Sequence, residues 1–220
     1  MSRAIYKLDG VDIKTYGVCV SDSKGIINRP KIKASKATQW DDYHGEIVDL
    51  TKKFYEAREI TLSCFIKATS KMDFVNKVTT FERLFDKAGT NRLVVEVDAN
   101  KPLIFEVYCK DEIDISKSWD DNLMIGTFKL KLTEPEPVKR VLRHRCTVGS
   151  DNRTCSIKIS TTKLVNIFWG DGKVTYDVNG DNVTITHYYD ALGVYFPVIT
   201  GCIDEIENFE TNAEIIWQRI

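Results

Sequence analysis

The sequence predicts a mainly β, α+β chain: an N-terminal antiparallel sheet or split barrel carrying one helix, then a C-terminal seven-strand β-sandwich. Three observations carry this reading. Apolar residues alternate with a period of two along most of the 220 residues, the pattern of half-buried strands. One stretch alone, about residues 70–88, spaces its apolar residues for a helix. The segment EPEPVKR (134–140) holds two prolines that a central strand does not accept, and the texture of the chain changes after it. The boundary therefore falls between 1–138 and 139–220.

Taken in order, RAIYKLD (3–9) starts as a short strand, with a turn at Gly10 and Asp12. YGVCVSDSKG follows as strand then loop, and RPKIKASKA alternates as a half-exposed strand. The polar run TQWDDYHGEIVDLTKKFYEAR has neither period and reads as a long connection, the kind that usually carries function or an interface. EITLSCFIKA (59–68) is a strand with Ile60, Leu62, Cys64 and Ile66 on one face. Ser70 with Asp73 three residues on makes a capping box. Phe74, Val78, Phe81 and Phe85 then form the helical stripe, closed by Gly89. NRLVVEVD, LIFEVYCKDEIDIS and NLMIGTFKLKLTEP are three strands separated by turns at 98–102 and 118–122. Past the prolines, seven short strands recur every 8–12 residues with no helical pattern, as in an immunoglobulin-type sandwich.

Composition narrows the function. The chain is 43% apolar and 29% charged, with net charge -1. Residues 1–140 carry 24 Lys and Arg against 22 Asp and Glu, and residues 141–220 carry 7 against 10. Neither half offers a basic surface, so nucleic acid is not expected as a partner. No apolar run approaches the ~18 residues that span a bilayer, so no membrane partner is expected. MSRAIYKLDG lacks the apolar core of a signal peptide, which points to synthesis in a reducing cytoplasm. The six cysteines are scattered, without a CxxC. Cys64 and Cys109 lie in apolar runs; Cys146 and Cys155 flank a predicted hairpin close enough for a disulfide, which a reducing compartment disfavours.

No catalytic, cofactor or metal site is predicted, and the chain reads as non-enzymatic. His44, His144 and His187 fall in three different segments with no metal-binding spacing. No GxSxG or P-loop is present. Asp41–Asp42 and Asp120–Asp121 are sequence neighbours, which extended backbone points apart. Asp171, Asp177, Asp181 and Asp190 sit near turns without an EF-hand spacing; turn aspartates commonly bond their own backbone. Trp40, Asp42, Tyr43 and His44 in the polar connection are the candidate subunit interface, because interfaces are enriched in Trp and Tyr. Trp119, at a predicted turn, shares that character. In LVNIFWGDGKVTYDV, Val165, Ile167 and Trp169 alternate before the turn, and Val174, Tyr176 and Val178 after it. Asp171–Gly172 would then be the two central residues of a type I′ hairpin, both at positive φ, with Trp169 as core. On that reading Asp171→Asn is nearly silent.

Two resemblances follow from these motifs. FWGDG (168–172) and THYYDALGVYFPVI (186–199) resemble the signature of PKD-type immunoglobulin-like domains. Trp169, Gly170, Asp171, Gly172, His187, Tyr189, Gly193 and Tyr195 fall where that pattern expects them, although the commonest form has a Phe between Trp169 and Gly170. The resemblance implies a binding or spacer module. Residues 3–138 are similar to the distal tail (Dit) proteins of long-tailed phages. The order that carries this is YGVCVSD, HGEIVDLTKKFYEAREITLSCFI with Arg58 opening the strand, the helix MDFVNKVTTFERLFDKAG, RLVVEVD, FEVYCKDEIDI and GTFKLKLTEPEP. It implies a virion tail component made in the host bacterial cytoplasm. It also implies a hexameric ring of this chain with tail-tube and tail-tip proteins as partners, and an outer β-domain for partner or cell-surface glycan binding. The alternative reading is a non-catalytic carbohydrate- or surface-protein-binding module, with Tyr188, Tyr195 and Phe196 as candidate sugar platforms.

Overall fold

In the computed structural model, residues 4–33, 37–42, 44–120, 123–148 and 152–220 are described. Strands β1 (Ile5–Leu8) and β2 (Val11–Asp12) form a tight hairpin, and β3 (Val18–Lys24) follows a 3₁₀ turn. The polar connection is not structureless: β4 (Ala37–Thr38) and β5 (Ile47–Val48) pair within it as a small arm. Of the strand expected in RPKIKASKA, Ile32 makes an isolated bridge to Tyr55, residues 34–36 lie outside the described residues and Ala37 belongs to β4. Then come β6 (Arg58–Ala68), helix α1 (Lys71–Glu82), β7 (Asn91–Glu96), β8 (Leu103–Val107), β9 (Ser116–Trp119) and β10 (Met124–Glu134). Past the prolines lie β11 (Lys139–Cys146), β12 (Thr154–Phe168), β13 (Val174–Tyr188) and β14 (Gly193–Tyr195). β15 (Val198–Gly201), β16 (Ile206–Thr211) and β17 (Glu214–Trp217) complete the chain. The fold is mainly β with one α-helix among the described residues.

These elements form two compact units: Met1–Tyr16 with Thr90–Glu106 and Val138–Ile220, and Gly17–Gly89 with Val107–Pro137. This division differs from a single cut at 138/139. The N-terminal hairpin and the β7–β8 pair cluster with the C-terminal strands.

The unit of residues 17–89 and 107–137 is built on an antiparallel sheet in the order β3-β6-β10-β9. β6 alternates as its sequence requires: Ile60, Leu62, Cys64 and Ile66 are buried, and Glu59 and Lys67 are exposed. Burial pushes the Cys64 thiol up to about 12, so it behaves as a small apolar side chain. Helix α1 begins where the capping box placed it: the Ser70 hydroxyl accepts from the Asp73 N–H at 3.1 Å, and Asp73 returns a bond from the Thr69 N–H. It packs on the sheet through Phe74 and Phe81; the Phe81 ring lies 5.8 Å from Phe128 of β10. Gly126 of β10 makes room for it, because a Cβ there would stand 2.6 Å from the Phe74 ring. The helix is shorter than expected. It tightens to 3₁₀ over Arg83–Phe85, so Phe85 rides on that turn and Gly89 lies beyond the helix rather than capping it.

At the end of that sheet Arg58 opens β6 and Glu134 closes β10, opposite each other in register. Both are buried. Arg58 Nε and Glu134 Oε2 are 3.1 Å apart and form a buried ion pair. The other guanidinium nitrogens donate to the carbonyls of Ile26 (3.0 Å) and Pro137 (3.2 Å). The arginine thus ties two loops to the sheet where the chain leaves it.

In the other unit β2-β1-β7-β8 form one four-stranded sheet, and β11 to β17 form a second, seven-stranded one. Several predicted short strands are fused here. TCSIKIS and LVNIFWG are the two halves of β12, and KVTYDVNG and DNVTITHYY the two halves of β13. Register shifts around Thr161 and Val165 bend the β12–β13 ribbon. The first half of β12 therefore pairs with β16 and the second with β15. The core inside these strands includes Leu142, Cys155, Ile157, Ile167, Trp169, Tyr189 and Ile199. Cys146 and Cys155 both lie in it as free thiols, as are the other four cysteines.

Candidate functional site

The sequence motif residues converge in the second long hairpin. The loop from Trp169 to Lys173 closes on a bond from the Trp169 N–H to the Lys173 carbonyl (3.0 Å). Its positive φ values fall on Gly170 (98°) and Gly172 (90°), flanking Asp171. This corrects the two-residue type I′ turn: Asp171 does not take a left-handed conformation, and the two glycines do. Gly170 is required twice over, since a Cβ there would also stand 2.7 Å from the guanidinium of Arg92.

Freed from the turn's backbone strain, Asp171 uses both carboxylate oxygens. Oδ1 accepts from the Lys173 N–H (3.1 Å), and Oδ2 accepts from His187 Nε2 (2.8 Å) on the neighbouring end of β13. Burial alone would raise this carboxyl, but the bonds from His187 and Lys173 outweigh it and hold it below its ordinary value. His187 stacks on Trp169 (4.7 Å between centroids) and meets Tyr189 edge-on (4.7 Å). Tyr189, fully buried, stacks on Tyr195 at 3.9 Å and donates its hydroxyl to the Trp169 carbonyl at 2.9 Å. The indole N–H of Trp169 is satisfied by the Thr175 hydroxyl (2.9 Å). Gly193 opens β14 opposite Cys146. Trp169, His187, Tyr189 and Tyr195 thus form one connected aromatic cluster, which Asp171 joins through His187, while the Trp169 N–H and the Tyr195 hydroxyl bond to Thr175 and to the Ala191 carbonyl.

The pairing changes the expectation for Asp171→Asn. Asparagine can keep the bond to Lys173 but not the charge-assisted bond to His187, so we expect a loss of about 1–2 kcal/mol at pH 7. The sign of the pH dependence follows from the lowered carboxyl. Its contribution is fully present above the ordinary aspartate range and is lost as pH falls through the folded-state value. Urea unfolding of the wild type and the Asn variant should converge as pH is lowered into that range. A constant difference between them would refute the pairing.

Two partners of the cluster were invisible in sequence. His144 of β11 stacks on Tyr189 (5.5 Å) and donates through Nε2 to the Asn152 carbonyl. Arg92 of β7, about 75 residues away along the chain, reaches the base of the hairpin. It donates to the carbonyls of Phe196 (2.7 Å) and Phe168 (3.2 Å), while Glu106 of β8 holds its Nε at 2.6 Å. Of the sugar-platform candidates, Tyr195 is held in the stack and Phe196 packs on an apolar cluster. Tyr188 is exposed. Among the turn aspartates, Asp181 accepts from the Ser160 hydroxyl (2.8 Å). No group of three or more His, Cys, Asp or Glu side chains is arranged to hold a metal among the described residues.

The second candidate region is the arm. Trp40, Asp42 and His44 are exposed, and Tyr43 lies outside the described residues. Ile47, Leu50 and Phe54 of the same arm are exposed as well. Trp119, expected at a turn, belongs to strand β9, where its ring meets Phe74 edge-on (5.5 Å) and remains partly exposed.

The fold has a structural counterpart. The Dit protein (gp 19.1) of phage SPP1, a hub adsorption apparatus protein of phages infecting Gram-positive bacteria, aligns over 100% of this chain and 90% of its own, at TM-score 0.51 and 11% identity. The chain has a Dit-like fold. A chain of the phage p2 baseplate, in its activated conformation with Sr, aligns over 91% of this chain and 99% of its own, at TM-score 0.47 and 7% identity. No protein-family model and no curated protein matches the sequence. Within the Dit-like fold, Arg58 and Glu134 occupy the buried corner of the sheet that carries the arm, and the PKD-type motif residues occupy the other unit.

Proposed function

We propose that this chain is a structural protein of a phage or prophage tail tip, a distal tail ring that links the tail tube to the baseplate. The observation that carries the reading is the alignment of the whole chain with the SPP1 hub protein. Two features support it. The indole N–H of Trp169, both tyrosine hydroxyls and both Asp171 oxygens of the aromatic cluster are engaged in hydrogen bonds within the chain, as in a structural brace. The arm presents apolar side chains to solvent, as a protein does where another subunit will cover them. The ring is expected to be hexameric, with the arm residues Trp40, Asp42, Tyr43 and His44 at the subunit boundary. The PKD-like β-rich unit then serves as the surface displayed to tail partners or to a cell-surface glycan, with Tyr188 as the exposed aromatic for the latter.

Size-exclusion chromatography with light scattering, and electron microscopy of the purified protein, should show closed rings at high concentration or after addition of tail-tube protein. A strict monomer under every condition, without binding to tail-tube protein, overturns the reading. Binding to a glycan array by that monomer would favour the alternative of a carbohydrate-binding module.

A further inference from the structure

The chain carries two more residues than the edge of β10 needs. Tyr108 pairs with Thr133, and Ser116 of β9 pairs with Thr127, so the seven residues 109–115 run beside the five residues 128–132. The surplus bows that segment away from β10. A cavity of about 750 Å³ lies between the bow and the sheet, the size of a small-molecule site. Thr133 turns both main-chain groups to this edge: it donates to Tyr108 at 2.9 Å and accepts from it at 3.0 Å. Strand groups alternate with a period of two, so Lys131 and Lys129 aim theirs at the same edge. Among the described residues neither finds a main-chain partner there. The ladder is thus open at two donors and two acceptors, and closed above and below them.

The cavity extends across the sheet to Phe65, Ser63 and Ser21. The Ser21 hydroxyl donates to the Ser63 carbonyl at 3.0 Å, and Ser116 and Thr127 add two further hydroxyls. The lining charges are Asp111, Glu112 and Asp114 against Lys129 and Lys131. Asp111 stands 3.7 Å from Lys131, whereas Glu112 and Asp114 are exposed and take no bond or ion pair among the described residues. These features select a ligand class. Carboxylates outnumber ammonium groups, which disfavours an anion. The three carboxylates do not form a metal donor set. An extended peptide would match the open main-chain groups, but the pairs at Tyr108 and Ser116 block its path along the strand at both ends. A sugar fits. Each hydroxyl both donates and accepts, which suits N–H, C=O and carboxylate together. Its C–H face can lie on the half-buried Phe65 ring. We infer that this cavity is a saccharide-binding site. It belongs to the unit of α1, not to the unit of Tyr188, and it does not rest on the ring reading.

Saturation-transfer difference NMR on the intact chain tests this. The probes are methyl α-D-glucopyranoside, methyl β-D-galactopyranoside and N-acetyl-D-glucosamine, with inorganic phosphate as competitor. At least one sugar should receive saturation, with a Kd of about 1 mM. Glu112→Gln with Asp114→Asn should weaken that binding about tenfold, because charge-assisted hydrogen bonds become neutral ones. Thr127→Trp, which fills the cavity from an exposed position, should abolish it. Thermal melting should be unchanged in both variants, since none of the three side chains bonds within the chain among the described residues. Binding that either folded variant leaves intact, binding lost on Tyr188→Ala instead, displacement of the sugar by phosphate, or no saturation of any of the three sugars refutes the site. The ring reading is decided separately, by the oligomeric state.

Discussion

Trp169→Ala should destabilise its unit by about 3–5 kcal/mol, read as a drop in the urea midpoint with little change in slope. The indole is 1% exposed and sits between His187 on one side and the strands of the core on the other. Removing it leaves a cavity that the stack cannot close, because His187 is pinned by Asp171 and Tyr189 by its bond to the Trp169 carbonyl. It also strands the Thr175 hydroxyl that accepts the indole N–H. A change smaller than ~1 kcal/mol would mean that the hairpin end is soft and that the aromatic cluster is not the brace described above.

Glu134→Ala should be comparably damaging to the other unit, at about 3–5 kcal/mol, since it leaves the Arg58 guanidinium buried without its counter-charge. Burial already draws the Arg58 pKa down against the pull of Glu134. The discriminating measurement is the double replacement Arg58→Met with Glu134→Leu. Removing both charges together should restore most of the lost stability in urea, because the cost of the single change is an orphaned charge rather than a lost attraction. If the double variant is as unstable as the single one, the arginine's bonds to Ile26 and Pro137 outweigh its pairing with Glu134.

The elements that could be read in sequence are those specified over short distances. The alternation of Ile60, Leu62, Cys64 and Ile66 defines one face of β6, and the Ser70–Asp73 box starts α1 within the same turn. The aromatic-Gly-Asp-Gly pattern located the hairpin, because loop closure there is local. Its conformation was misread for an equally local reason: Asp–Gly is favoured in a type I′ turn, but Gly170 adds a third permissive residue and shifts the positive φ values to the two glycines. The sequence divides β12 at Thr161–Lys163 and β13 at Gly180–Asp181, where the polar residues and the glycine resemble turns, whereas the ladder runs on through both with shifts of register.

What lay beyond the sequence was partnership. Arg92 and Glu106 read as ordinary charges on alternating strands, and nothing near them in the chain says that they hold the carbonyls of Phe168 and Phe196. His144 and His187 stood in separate segments, yet both lie against Tyr189. The prolines at 135 and 137 mark an interruption between β10 and β11, and the chain passes from one unit to the other at Pro137–Val138; what they do not announce is that the N-terminal hairpin and residues 90–106 cluster with the strands beyond them. By itself the sequence determined a mainly β chain with one capped helix, a buried Trp169 and an exposed polar arm, because side-chain periodicity and local turn chemistry are written residue by residue. Only the tertiary structure decided which strands share a unit and which charges meet in its interior. Those outcomes depend on pairing between residues tens of positions apart, where many partners are chemically equivalent and packing selects one.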